Sequence, residues 1–138
     1  LSRSINIVIT MPNADTLGSV YRGQFLRLKE SENNKIFLVE NFGKENYFSA
    51  MYFSQFLIGN TSSGIIEAAS FGKYVLNVGD RQKGRSQSKN TFNTIFTKSD
   101  IVKNALRIFN LGKYKDENIY YKKDSSKRVI NILKNDLL

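Results

Sequence analysis

Short apolar runs rich in β-branched residues alternate along this chain with longer stretches of mixed polarity. Residues 5–10, 35–40 and 74–78 form three such runs and residues 56–59 a shorter fourth, a length and composition that predict strands. Between them, residues 18–32 set Val20, Phe25 and Leu28 among polar neighbours, residues 46–54 are compact and aromatic, and residues 65–71 carry a short apolar helical pattern. Two further helices are predicted in the tail. One runs through Phe109 with Ser99 and Asp100 suited to cap it, and an amphipathic one over residues 125–137 gathers Val129, Ile130, Ile132 and Leu133 on one side. Both read as covering helices. Strand and helix in alternation is the rhythm of a parallel sheet wrapped by helices, so the expected fold class is α/β.

With 138 residues, the chain has the size of one domain, and no repeat, Gly/Ser-rich linker or low-complexity segment divides it. Its hydrophobic share of 41% against 24% charged residues is enough to bury a core. No apolar run approaches the roughly 20 residues that cross a bilayer, and no charged-then-apolar leader opens the chain. A soluble, cytoplasmic protein without membrane contact is expected. The sequence contains neither Cys nor His, which excludes disulfides, thiolate metal sites and imidazole as a general base. Lys and Arg number 21 against 12 Asp and Glu, a net charge of +9 that favours anionic partners. Many of these cations fall in residues 98–134 among acidic residues, as on solvated helix faces. The basic, tyrosine-rich run 113–123 has no recognisable nucleic-acid module beside it, so packing tyrosines, and no nucleic-acid partner, are expected.

Open parallel sheets bind ligands beyond the carboxyl ends of their strands, which singles out residues 11–17, 59–64 and 79–88. The second is Gly59-Asn60-Thr61-Ser62-Ser63-Gly64-Ile65-Ile66-Glu67, directly after an apolar run. Glycine permits a tight strand exit, hydroxyl residues cap a helix start, and the free N–H groups there suit a diphosphate. Glu67, about 6–9 Å along that helix at about 1.5 Å per residue, could accept both ribose hydroxyls. The same spacing also describes an ordinary capped helix with a favourable first-turn acid. The third loop, Gly79-Asp80-Arg81-Gln82-Lys83-Gly84-Arg85, puts three cations in five residues, as an anion clamp or as a solvated cluster. It is also expected to be the mobile part of an empty site. In the first, Asn13 could donate to a base or phosphate, with Asp15 orienting it or capping a turn.

Taken in order, these segments resemble one family. Residues 59–67, followed by Ala68-Ala69-Ser70-Phe71-Gly72 and then Asn77 through Arg85, are similar to the carboxyl-terminal domain of hydrolysing UDP-N-acetylglucosamine 2-epimerases; residues 11–16 and Asn41-Phe42-Gly43 match its earlier loops. The resemblance covers residues 5–95 and weakens beyond. It implies a Rossmann-like, three-layer domain over residues 1–138, the second half of the two-domain arrangement called GT-B, with the amino-terminal domain absent from this chain. By position it implies diphosphate contacts at Thr61 and Ser62, ribose contacts at Glu67, and further nucleotide contacts at Asn13, Arg81 and the backbone near Phe42; the Ser63 side chain joins the diphosphate site on the reading of the helix start alone. Thr61 stands where serine is common, which keeps the hydroxyl, and Lys73-Tyr74 replace an apolar–proline pair at a strand entry.

Family members eliminate UDP from UDP-N-acetylglucosamine to give a 2-acetamidoglucal and hydrate it to N-acetylmannosamine, a precursor of sialic acid. The acid–base groups come mainly from the amino-terminal domain, so no catalytic residue is assigned in this chain, which alone is expected to be inactive. The expected partner is UDP or UDP-N-acetylglucosamine, with neither cofactor nor metal implied and a homo-oligomer left open. Enzymes acting on UDP-diacetamido sugars share much of the basic run. Two other readings stay open: the donor half of a GT-B glycosyltransferase, and a noncatalytic basic binding module.

Overall fold

A computed structural model describes residues 5–12, 18–31 and 34–137. The chain groups into two compact units, Leu1–Phe48 and Ser49–Leu138.

In the first unit, β1 (Ile7–Thr10) and β2 (Ile36–Val39) pair in parallel, Ile7 opposite Ile36 and Thr10 opposite Val39. Parallel neighbours need a crossover, and α1 (Gly18–Ser31) lies between them in sequence. Ile36 is buried while its neighbour Phe37 is about half exposed, the alternation that a strand pleat imposes. Arg22 of α1 grips Glu40, just beyond β2, through two parallel N–H···O bonds, of which Nη2 to Oε2 measures 2.8 Å. This hydrogen bonding is the main reason the Glu40 carboxyl titrates below its ordinary value. The aromatic helix α2 (Gly43–Phe53) starts earlier than its apolar pattern suggests. Asn41 Oδ1 accepts the Gly43 N–H at 2.7 Å, and this local turn starts the helix before its aromatic residues begin.

The second unit contains β3 (Phe56–Gly59), α3 (Ser62–Ile66), a 3₁₀ turn (Ala68–Phe71), β4 (Tyr74–Val78), β5 (Thr91–Thr94), α4 (Lys98–Phe109) and α5 (Ser125–Leu137). Its strands lie in the order β3-β4-β5, all parallel, with Gly59 opposite Asn77 and Val78 opposite Thr94. The central strand carries the core. Leu76 and Val78 pack on Ala105 and Ile108 of α4, with Phe56, Tyr74, Phe92 and Ile101 around them. Each large side chain buried this way contributes about 1.5–3 kcal/mol. The chain is thus an α/β protein of Rossmann-like character, its parallel strands alternating with helices except between β4 and β5, which a loop joins.

Four local features depart from the sequence pattern. β5 was not foreseen, because Phe92 is its single large apolar residue; it pairs with β4 alone, and its ring meets Tyr74 edge-on at 5.8 Å. Thr97, and not Ser99 or Asp100, caps α4: its extended backbone suits the cap position, and its Oγ1 accepts the Asp100 N–H at 3.3 Å. The apolar side of α5 stays about half exposed at Val129, Ile130, Ile132 and Leu133, so this helix does not cover the sheet as expected. The helical pattern over 65–71 is two pieces, α3 and the 3₁₀ turn, whose tighter winding brings the chain to β4 within two residues. The replaced strand entry works through other contacts. Lys73 Nζ donates to Ser54 O at 2.6 Å, and Asn90 Nδ2 donates to Lys73 O at 2.8 Å. Among the described residues no helix is long and apolar enough to cross a membrane.

Candidate functional site

β3 ends at Gly59, whose φ of 150° is a backbone angle that L side chains rarely adopt. The chain turns there, and Thr61 becomes the cap of α3, its Oγ1 accepting the Gly64 N–H at 3.3 Å. The capping role falls to Thr61, one residue before the serines. Ser62 is exposed, and Ser63 is half-buried with an Oγ that is shut from solvent and finds no partner among the described residues. Gly64 lets α3 sit close to β4: a Cβ there would lie 3.0 Å from Val75 Cγ1.

Glu67 closes α3 instead of riding along a longer helix, its N–H bonded to Ser63 O at 2.9 Å. Ser63 and Glu67 therefore lie one turn apart. A helix of only five residues has little macrodipole, so an anion at its start depends on hydroxyls and N–H groups more than the sequence pattern suggests. Glu67 is half-buried, and its Oε2 is shut from solvent and has no hydrogen-bond partner among the described residues. Buried polar atoms in native structures are rarely left so.

The basic loop after β4 has an uncharged root. Arg81, Lys83 and Arg85 are exposed, but Gln82 between them is only 3% exposed, and its Nε2 donates to Asn60 O at 2.7 Å. That bond fastens the loop to the turn that starts α3. A second fastening runs through amides: Asn77 Nδ2 donates to Asn93 Oδ1 at 2.8 Å, and Asn93 Nδ2 donates to Gln87 Oε1 at 2.8 Å. Both fastenings lie within the loop's own unit. Asn77 Oδ1 and Gln82 Oε1 join the buried oxygens that lack a partner among the described residues.

The structure thus brings Thr61, Ser62, Ser63 and Glu67 together at one strand end and ties the loop of Arg81 to them. Phe42 belongs to the first unit, half-buried, its ring 6.4 Å from that of Tyr47. Asn13, like Asp15, lies outside the described residues. Sequence reasoning missed Gln82, Asn77 and Asn60. The available signal was one neutral amide inside a run of cations, which is the position a loop turns inward. A cavity of about 460 Å³ lined by Tyr52, Ser70, Gly72, Lys113, Tyr114 and Asp116 lies at the opposite end of β4, where ligands of parallel sheets do not sit. Next to it, burial first and Lys113 second push the Lys73 ammonium below its ordinary pKa.

Comparison with known proteins identifies a family. The profile of the family described as UDP-N-acetylglucosamine 2-epimerase matches residues 1–134. The UDP-N,N'-diacetylbacillosamine 2-epimerase (hydrolyzing) of Legionella pneumophila is 31% identical over 134 residues, 97% of this chain and 35% of that protein. The GDP/UDP-N,N'-diacetylbacillosamine 2-epimerase (hydrolyzing) of Campylobacter jejuni is 34% identical over 88 residues, 64% of the chain and 23% of that protein. The UDP-N-acetylglucosamine 2-epimerase of Neisseria meningitidis is 25% identical over 133 residues, 94% of the chain and 34% of that protein. The chain spans about a third or less of the length of these relatives.

Proposed function

The chain belongs to the UDP-N-acetylglucosamine 2-epimerase family, and from that membership we propose that it is the UDP-binding domain of a hydrolysing 2-epimerase of GT-B architecture acting on a UDP-linked 2-acetamido sugar. The observation that carries the reading is Glu67, whose carboxylate holds a desolvated oxygen without a partner among the described residues, one turn from Ser63 and just past the hydroxyls of Thr61 and Ser62. In this reading Thr61 and Ser62 hold the diphosphate, with Ser63 behind them. Glu67 accepts from the ribose hydroxyls, and Arg81 neutralises phosphate charge from a loop that Gln82 has already placed. The family resemblance alone assigns further nucleotide contacts to Asn13 and the backbone at Phe42.

The chemistry is elimination followed by hydration. A base takes the proton at C2 of the sugar, the C2=C1 double bond forms, and the C1–O bond breaks with its electron pair leaving on UDP. Water then adds to the glycal with the opposite configuration at C2. This chain serves the leaving-group side: charge gathers on the diphosphate as C1–O breaks, and preset hydroxyl, N–H and guanidinium donors stabilise it without reorganising. The base belongs to the part of the enzyme outside this chain.

Two relatives named for a diacetamido sugar are 31% and 34% identical, against 25% for the one named for UDP-N-acetylglucosamine, which favours a UDP-diacetamido sugar as a second reading of the substrate. Turnover of both sugars by the full-length protein with no acceptor present is the test. UDP release coupled to free 2-epimerised sugar supports the epimerase. Release that waits for a sugar acceptor identifies a glycosyltransferase and overturns the proposal.

A further inference from the structure

Residues 113–121 have no regular secondary structure, yet they are bonded to both parts of the nucleotide site. At their start, Tyr114 N–H donates to Gly72 O at 2.9 Å, and the Tyr114 ring meets Tyr74 edge-on at 5.5 Å. Further on, the Asn118 side chain lies between the two elements that carry the site. Its Nδ2 donates to Ile66 O at 2.8 Å and to Ser70 Oγ at 2.7 Å. Its Oδ1 accepts from Tyr120 N–H at 3.0 Å and from Ser88 Oγ at 3.4 Å. Ser88 Oγ in turn accepts from Ile119 N–H at 3.0 Å, and Tyr120 O–H donates to Ser86 O at 2.8 Å.

Ile66 immediately precedes Glu67, and its carbonyl is one of those that the end of a helix leaves without an intrahelical partner. Ser86 and Ser88 form the far end of the basic loop that Gln82 fastens at its near end. One amide thus pairs the last carbonyl of α3 and holds the end of the loop that presents Arg81. We propose that Asn118 is a positioning residue of the nucleotide site, one that sets Glu67 and the basic loop in fixed relation before any nucleotide arrives; the proposal rests on the UDP reading above. Asn118 touches no nucleotide itself. Its effect passes through Glu67, so it acts on the contact that Glu67 makes, the ribose hydroxyls.

Calorimetric titration of the chain and of Asn118→Ala with UDP and with 2′-deoxy-UDP tests this. The parent prefers UDP by about tenfold, the worth of one hydrogen bond to a charged group. In Asn118→Ala the affinity for UDP falls by about tenfold and the preference shrinks to under about threefold, because a displaced Glu67 no longer rewards the 2′-hydroxyl. An unchanged preference, whatever happens to overall affinity, marks a merely structural residue and overturns the proposal. A parent chain that binds UDP without preference refutes the Glu67 assignment, and one that does not bind UDP refutes the nucleotide reading; the proposal falls with either. If Asn118→Ala does not fold, Asn118→Asp carries the same test, since it keeps the shape and the acceptor oxygens but its carboxylate cannot donate to Ile66 O.

Discussion

Gly64→Ala is the smallest change that sets the packing of α3 against its function. The new Cβ would lie 3.0 Å from Val75 Cγ1, where carbon atoms rest at about 3.5–4.0 Å. Val75 is 3% exposed and sits on the central strand, so it cannot swing into solvent. Overpacking of this kind costs about 1–3 kcal/mol. Against it stands the gain of about 1 kcal/mol from replacing glycine within a helix. The balance is a loss of about 1 kcal/mol, or about 4 °C in Tm for a protein of this size. The clash is relieved by moving α3 outward by a few tenths of an ångström, which shifts Thr61, Ser62 and Ser63 together. UDP affinity should therefore fall by about tenfold, more than the stability change alone suggests. Denaturant unfolding and UDP calorimetry on the parent, Gly64→Ala, Val75→Ala and the double variant measure both quantities. In the Val75→Ala background the methyl has room, so Gly64→Ala should be neutral or stabilising there, a coupling of about 1–2 kcal/mol. Equal effects in both backgrounds, or a higher Tm for Gly64→Ala alone, would refute the close approach of α3 to β4.

Gln82→Glu keeps the shape of the loop's root but turns a buried donor toward Asn60 O into a carboxylate. It should destabilise the chain by about 2–3 kcal/mol at neutral pH. The protonated acid can donate where the carboxylate cannot, so the folded pKa is raised and the loss should recede, relative to the parent, as pH falls through that value; a pH-independent difference contradicts the role given to Gln82. For Glu40 the sign is reversed. Its folded pKa is depressed by Arg22, so the pair stabilises the chain above the ordinary carboxyl pKa and is lost as pH falls through the depressed one. Carboxyl carbon NMR should find Glu40 titrating below an ordinary glutamate and returning to the ordinary range in Arg22→Ala. The chain alone should release no UDP from UDP-N-acetylglucosamine; turnover by it places the catalytic base inside these residues.

The strands at 56–59 and 74–78 and the helix at 125–137 were legible in the sequence to the residue, because each coincides with a clean change in hydrophobic period. β5 was hidden because the pattern Thr-Phe-Asn-Thr offers one apolar side chain, and its strand character comes from pairing with β4. The hydroxyl turn and Glu67 were visible as a local motif, with the cap displaced by one residue to Thr61. What spacing could not show is the scaffold of neutral amides. Gln82 reaches 22 residues back to Asn60, and Asn118 reaches 52 residues back to Ile66, contacts with no local periodicity to announce them. Charge drew attention to Arg81, Lys83 and Arg85, while the burial that fixes them belongs to the uncharged residue between them.

Calorimetric titration of the chain with UDP, with ADP as competitor and Glu67→Ala and Ser62→Ala as controls, tests the central claim most directly. The account predicts that UDP binds, that ADP does not displace it at equal concentration, and that each substitution weakens binding by about tenfold or more. UDP binding that survives Glu67→Ala unchanged, or affinity that follows only ionic strength and treats ADP and UDP alike, would contradict it.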